Sequence, residues 1–495
     1  MNSTPSHLPC QPFSRAFSIL LAFAFALVSA FTSGCGAGSG SSTATSSGNT
    51  SVTVLASSTA NDQLSQYKMT INSLTLTNKS GKTVTVFSTP QSAEFIHLNG
   101  SVEPLTTVTI PGDVYTAATA SVGGIFAACV AMDPATGGLF INEALTEDTV
   151  PASAVTVKMS APVTITGTSM ALSLDLQVSP SLDLPNCYET STNPITFTPT
   201  INLTALTIAA HQPTTTTNGR AMGLRGVITT VDTNGTGFTV TGADGPTWQV
   251  GSNNDTVFQG VTDASKLVAG MPVDMDVAIQ PDSSLLATRV GIFDANPSTL
   301  TMASGTMIEV AATQSTLFAL VDEYEGPIQY GLGGAPPFSF GNAVFQISGE
   351  LTNVQSLPFT ASFNATNMVT GQKVFITTHA TSESGYPVYV PVSTMTLLPQ
   401  TIYGTVSAVS TSGSFTTYTV TLAAYDLFPT LAVQSGQTTQ VSNPGSVVVY
   451  VDSNTQLLNT DFIAVGSVLR FNGLVFNDNG TLRMDCAQIN DGVAE

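Results

Sequence analysis

Charge is scarce in this chain and positive charge scarcer still: 9% of the residues are charged, with 12 Lys and Arg against 32 Asp and Glu and a formal net charge of −20. Phosphate recognition needs clustered Lys and Arg, and no such cluster occurs, so nucleic acid is excluded as a partner. Histidine is rare, with four in the chain, and neither a G-x-S-x-G elbow nor an H-E-x-x-H zinc motif is present. No stretch shows a sustained period of 3.6, which argues against a helical body. After the first 34 residues there is no further apolar run long enough for a spanning helix. With so little charge, the surface has to be built from Thr, Ser, Asn, Gln and Gly, a composition suited to an extracytoplasmic β protein and to polysaccharide contact.

What the N-terminus does have is an export signal. Arg15 is the only basic side chain of residues 1–34, and an apolar or small stretch runs from Ala16 to Phe31. That stretch is short for a membrane-spanning helix, which needs roughly 20 residues, so cleavage is expected. Ser33, Gly34 and Cys35 then resemble the bacterial lipobox, in which the cysteine is lipidated and becomes the new N-terminus; Thr32 departs from it, standing where leucine is usual. Residues 35–50 continue as a Gly/Ser tether, as a lipid-anchored domain requires. The resemblance implies an exported protein held to the cell envelope through lipid on Cys35, most naturally at the outer membrane on its periplasmic or surface face. In an oxidising compartment Cys129 and Cys187, which share one segment, are expected to form a disulfide. Cys486 is left over and reads as a small buried residue of a strand.

From residue 51 to about 210 the hydrophobic pattern has period two, clearest where Met170, Leu172, Leu174, Leu176 and Val178 alternate with small or polar residues. Asn78 to Lys82 separates two such runs as a hairpin loop. Residues 211–222 form a Pro- and Thr-rich linker, and beyond them the chain repeats itself. Three segments open alike, GVITTV at Gly226, GTMIEV at Gly305 and GTVSAV at Gly404. Each reaches a second shared phrase: LVAGMPV around Gly270, MVTGQKV around Gly371 and IAVGSVL around Gly466. The later copies hold the two phrases farther apart, which predicts insertions. The second glycine of each copy reads as a turn that sends the chain into a strand. The expected fold is all-β: an N-terminal antiparallel β-sandwich (51–210) followed by three small OB-like β-barrel repeats (223–297, 298–400 with an insertion, and 401–495).

Two families of unknown function resemble parts of this pattern. Asn61 to Tyr115, with MTINSLTL from Met69, FIHL from Phe95 and IPGDVY from Ile110, resembles a lipoprotein domain known as domain of unknown function number 4382. Gly226 to Phe293, with Gly270, Val273 and LATRV from Leu286, looks like domain of unknown function number 5666, a small barrel often repeated in exported bacterial proteins. Both resemblances imply fold and location, and neither carries an activity or a catalytic residue.

Candidate site residues are few. Asp322, Glu323 and Glu325 precede Tyr330, Phe338 and Phe340 in a Gly- and Pro-rich stretch; carboxylates beside aromatics suit a sugar or calcium, whereas a solvated loop is the plainer reading. Trp248, the sole tryptophan, fits either a stacking platform or a place in the core or rim of a barrel. His97, between Ile96 and Leu98, reads as a tolerated strand residue, and Ser65 to Lys68 fits S-x-x-K only formally. Asp452 to Gln456 and Asn477 to Gly480 offer oxygen ligands but read as Asx turns rather than calcium loops. No metal and no cofactor are implied. The sequence therefore points to a non-catalytic envelope lipoprotein serving as a binding or assembly module, with a membrane bound through the lipid and a polysaccharide or another envelope protein as candidate partner. An extracytoplasmic polysaccharide-acting enzyme with paired carboxylates, and a structural spacer, stand as alternatives.

Overall fold

In the computed structural model, the described residues are 48–59, 64–132, 139–144, 153–181, 197–208, 218–242, 245–298, 301–325, 335–349, 356–380, 389–423, 426–433, 436–458, 460 and 462–491. The expected signal, Cys35, most of its tether, Cys187, Tyr330 and the side chains of Cys129 and Glu325 lie outside them. Almost every described element is a strand.

The N-terminal unit comprises β1 (Asn49–Ser58), β2 (Leu64–Asn78), β3 (Thr83–Phe87), β4 (Gln91–Glu94), β5 (Glu103–Pro111), β6 (Asp113–Met132), β7 (Leu139–Ala144), β8 (Ser153–Met159), β9 (Val163–Ile165), β10 (Ser169–Gln177) and β11 (Thr200–Leu206), with a short helix α1 (Val178–Ser181). Its main path runs β3-β2-β6-β8-β11-β10-β1-β5. Side chains from both halves of that path, among them Val54, Leu172 and Ile201 from one and Tyr67, Ile71 and Ala118 from the other, share one core. The sheet thus folds over on itself as a sandwich does. Two of its joints, β1 with β10 and β11 with β8, are parallel where an antiparallel sheet was expected. Period-two patterning is the same for both senses of pairing, so the sequence pattern could not separate them. The alternation on β10 does what period two requires: Leu172, Leu174 and Leu176 are buried in that core. The Asn78 loop closes as expected, with its Oδ1 accepting from Ser80 N at 3.0 Å and Lys82 N at 2.9 Å.

The three repeats have one topology. The first holds β12 (Arg220–Val231), β13 (Gly237–Thr241), β14 (Thr247–Gly251), β15 (Val257–Gln259), β16 (Pro272–Ile279) and β17 (Leu285–Ile292). The third holds β25 (Gln400–Ser412), β26 (Phe415–Leu422), β27 (Ser446–Val451), β28 (Gln456–Leu458), β29 (Val468–Asp478) and β30 (Thr481–Asp491). Their strand orders, β14-β13-β12-β16-β17-β15 and β27-β26-β25-β29-β30-β28, superpose term by term. In each, a parallel pairing between the third and last strands, β14 with β17 and β27 with β30, closes a five-stranded barrel of the OB type. The second repeat holds β18 (Thr301–Ala311), β19 (Thr316–Glu325), β20 (Pro337–Ser339), β21 (Val344–Ile347), β22 (Lys373–Thr378), β23 (Val390–Pro391) and β24 (Thr394–Leu397). It follows the same plan with its last strand broken into β23 and β24.

The two sequence phrases meet in space in every repeat. Gly226, Gly305 and Gly404 stand opposite Val273, Val374 and Leu469. Two residues on, Ile228, Met307 and Val406 offer their carbonyls to the N–H of Gly270, Gly371 and Gly466 at 2.7, 2.6 and 2.8 Å. Those three turn glycines have φ of +93°, +95° and +93°, a conformation L side chains rarely adopt. A β-bulge follows at the same place in each copy, past Ile228, Met307 and Val406. The insertions fall in different loops: the second repeat is lengthened before and after β20 and β21, and the third between β26 and β27, where helix α2 (Phe428–Leu431) sits.

The barrels pack closely on one another and on the N-terminal unit. Phe293 stacks on Phe375 at 4.1 Å between the first and second barrels, and Gln372 Nε2 reaches Val475 O at 2.7 Å between the second and third. The loop of residues 95–101 brings the N-terminal unit back to the third barrel: Asn99 Nδ2 donates to Tyr403 Oη at 2.8 Å and Thr401 Oγ1 to Asn99 O at 3.0 Å.

Candidate functional site

Glu94, the last residue of β4, is wholly buried and organises the loop that follows it. Its carboxylate accepts from Tyr67 N at 2.8 Å, from Ile96 N at 3.0 Å and from His97 N at 3.0 Å, fixing a turn that carries His97 outward from the N-terminal core. The His97 ring meets carboxylates on both sides: Nδ1 lies 3.2 Å from Glu94 and 3.1 Å from Glu323, and Nε2 lies 3.1 Å from Glu103 at the start of β5. An ionised carboxylate only accepts, so with Glu323 at Nδ1 and Glu103 at Nε2 the ring donates from both nitrogens, as the imidazolium does. Burial alone would strip its proton, yet the charge of Glu323 and the hydrogen bonds to Glu103 and Glu94 win, raising its pKa well above the ordinary imidazole value.

Glu323 ties this loop to the barrels. Arg225 of β12 reaches it at 3.3 Å, so residues of the N-terminal unit, the first barrel and the second barrel meet at one carboxylate. Burial would raise its pKa, but His97, Arg225 and Lys373 together bring it down to about 2. Asp322 beside it pairs with Lys373 of β22 at 2.8 Å. Adjacent strand residues ordinarily face opposite ways, but β19 is bulged here: Ser304 pairs with Glu323 and Gly305 with Val321, leaving Asp322 as the extra residue. The bulge aims both carboxylates at Ser304 Oγ, whose single O–H is shared between them. The expected solvated loop is thus corrected for Asp322 and Glu323, which lie within β19, the first buried and the second largely so, and make ion pairs with residues of three units.

Beside this cluster lies a cavity of about 110 Å³ to which all four units contribute. His97, Arg225, Asp322 and Lys373 form a charged wall, while Leu320 with Leu427, Phe428 and Leu431 of the third barrel's insertion forms an apolar one. Lys373 Nζ gives one of its three donors to Asp322. Gln488 of β30, 5% exposed, also lines the space.

The other sequence candidates go elsewhere. Trp248 is 4% exposed on β14, and its Nε1 donates to Pro104 O of the N-terminal unit at 2.7 Å. Its indole seals the seam between that unit and the first barrel, which leaves no ring face for a sugar. Phe338 and Phe340 are in the core of the second barrel. Asp452 forms an Asx turn, accepting from Asn454 N at 2.8 Å, and Asn477 caps the β29–β30 turn by accepting from Gly480 N, three residues on, at 2.8 Å. Cys486 is a buried free cysteine within β30. Among the described residues, no group of His, Cys, Asp and Glu has the arrangement of a metal site.

Sequence reasoning missed Glu94, Glu103, Arg225 and Lys373, and it read His97 as a tolerated strand residue, whereas His97 stands in the turn that follows β4. One signal was present: Lys373 stands where the sister repeats carry Pro272 and Val468, and Arg225 where they carry Ser304 and Tyr403. A charge in one copy of a repeat whose sisters have none marks a position with a private task. No known family model matches the chain, and no curated protein matches it.

Proposed function

We propose that the protein is an exported envelope lipoprotein, anchored through Cys35, whose body binds a small neutral hydroxylated ligand in the four-unit cavity. The observation that carries this reading is the cavity's construction from a charged and an apolar wall supplied by all four units. Its volume of about 110 Å³ is somewhat below the roughly 150 Å³ of a cavity that admits benzene, so it takes in one face or edge of a sugar ring and leaves the rest outside. The charges of the wall already pair with one another, so an ionic guest has to break an ion pair while a neutral one does not. A single sugar unit, free or at a chain end, offers hydroxyls to Lys373 and Asp322 and a C–H face to Phe428. A spacer is disfavoured by the return contact of Asn99 to the third barrel, since a stalk would keep its units in a row.

The test is calorimetric titration of the purified full chain with a panel of neutral monosaccharides and short neutral glycans, alongside Thr306→Phe, which fills the cavity from β18. Saturable binding by the wild type that weakens about tenfold or more, some 1.4 kcal/mol, in the variant is expected. Silence across the panel, or affinity indifferent to the filled cavity, refutes the ligand reading. For the anchor, Cys35→Ser is expected to abolish both labelling by radioactive fatty acid and retention in membranes.

A further inference from the structure

We infer that the junction of the N-terminal unit with the barrels is a proton-operated latch, in which the imidazolium of His97 clamps the 95–101 loop to β19 and so roofs the cavity. The groups that face the ring are Glu94 from β4, Glu103 from β5 and Glu323 from β19; Asp322, Arg225 and Lys373 complete the cluster from β19, β12 and β22. With the ring charged, three carboxylates on two separate units have a common cation. With it neutral, at least one ring nitrogen turns a lone pair toward a carboxylate, and the carboxylates repel across it. One proton therefore converts an attraction between units into a repulsion. The same loop holds Asn99 against Tyr403 and Thr401, so loosening at His97 reaches the third barrel as well.

The direction with pH follows from the shifts. His97 has a folded pKa above its unfolded value near 6.5, so its contribution is complete below about 6.5 and is lost as pH rises through the folded value. Glu94 has the same sign: burial raises its pKa above 4.5, more than its bonds to His97 lower it, so its buried charge costs stability as pH rises. Glu323 has the opposite sign, its contribution being present above about 4.5 and lost as pH falls through about 2. The latch is tightest between about pH 4.5 and 6.5 and slackens on the alkaline side.

Hydrogen exchange of the full chain at about pH 5.5 and pH 9, corrected for intrinsic rates, reads the latch in residues 95–101 and β19. Protection is expected to fall about tenfold or more at the higher pH in the wild type, and to be low at both in His97→Gln. Should that variant fail to fold, an NMR titration of the labelled imidazole in the wild type takes its place, and His97 is expected to keep its proton well above pH 6.5. Equal protection at the two pH values, or a ring that titrates at the ordinary imidazole value, overturns the latch. Its effect on ligand rests on the cavity being the binding site, and the two fail separately. Protection that changes with pH while sugar affinity does not upholds the latch and removes the cavity as the sugar site.

Discussion

Replacing Gly305 by alanine tests whether the three repeats are held by one close backbone approach. A Cβ at Gly305 would sit 2.0 Å from Leu320 O, 2.8 Å from Leu320 C and 3.1 Å from Val321 Cα, all backbone atoms of the paired strand β19. The sister positions are alike: 2.3 Å from Thr241 O at Gly226 and 2.4 Å from Thr421 O at Gly404. A flexible side chain could swing aside, but a paired strand moves only by giving up ladder hydrogen bonds. Overpacking ordinarily costs about 1–3 kcal/mol, and a backbone obstacle puts these variants at the upper end, about 3 kcal/mol, with Gly305→Ala the worst. Gly251→Ala is the control, since its nearest neighbour would be Leu285 O at 3.6 Å. There the ordinary gain of about 0.5–1 kcal/mol from replacing a strand glycine should appear. Urea unfolding of the full chain, followed by circular dichroism, measures all four. If the three repeat variants lie within about 0.5 kcal/mol of wild type, the close approach is not what the repeated glycine is for.

Two further outcomes are expected. Trp248→Phe leaves the Pro104 carbonyl without its indole partner and should cost about 1–3 kcal/mol, and because Trp248 is the sole tryptophan and buried, native emission should be blue-shifted and move red when the first barrel leaves the N-terminal unit; water-like emission from the native chain contradicts the seam. Cys486, 2% exposed and with its thiol pKa pushed up by burial, should resist iodoacetamide in the native chain and react in urea, as peptide mapping can show; alkylation without denaturant contradicts its placement.

The all-β fold and the threefold repeat were legible because each depends on short-range regularities. Period two on β10 and a glycine recurring at each turn are written within a few residues of one another. The junction was not legible for the opposite reason. His97 has apolar neighbours in sequence, and nothing within ten residues foretells that Glu323 will face it. Asp322 and Glu323 were visible as a cluster, but a bulge decides where they point, and a bulge is a property of two strands. Strand β16 shows the same limit: Asp274 and Asp276 alternate with Val273, Met275 and Val277 as a wet face should, yet that face is buried, with Arg289 at 2.6 Å and Ser348 at 2.8 Å from Asp274.

The contact of Asn99 with Tyr403, and the presence of Gln488 in the cavity wall, have a consequence for how the protein comes into being. The loop that forms the roof is made before any barrel strand, and the strand that completes the wall follows all the other described strands. Closing so long a span of chain is slow and waits on the intervening units. If the chain is exported as proposed, the cavity does not exist during transit and appears only once β30 has crossed. If the chain is also anchored as proposed, one cut before β30 would keep its anchor and most of its barrels while losing Ala487 and Gln488 from the cavity wall.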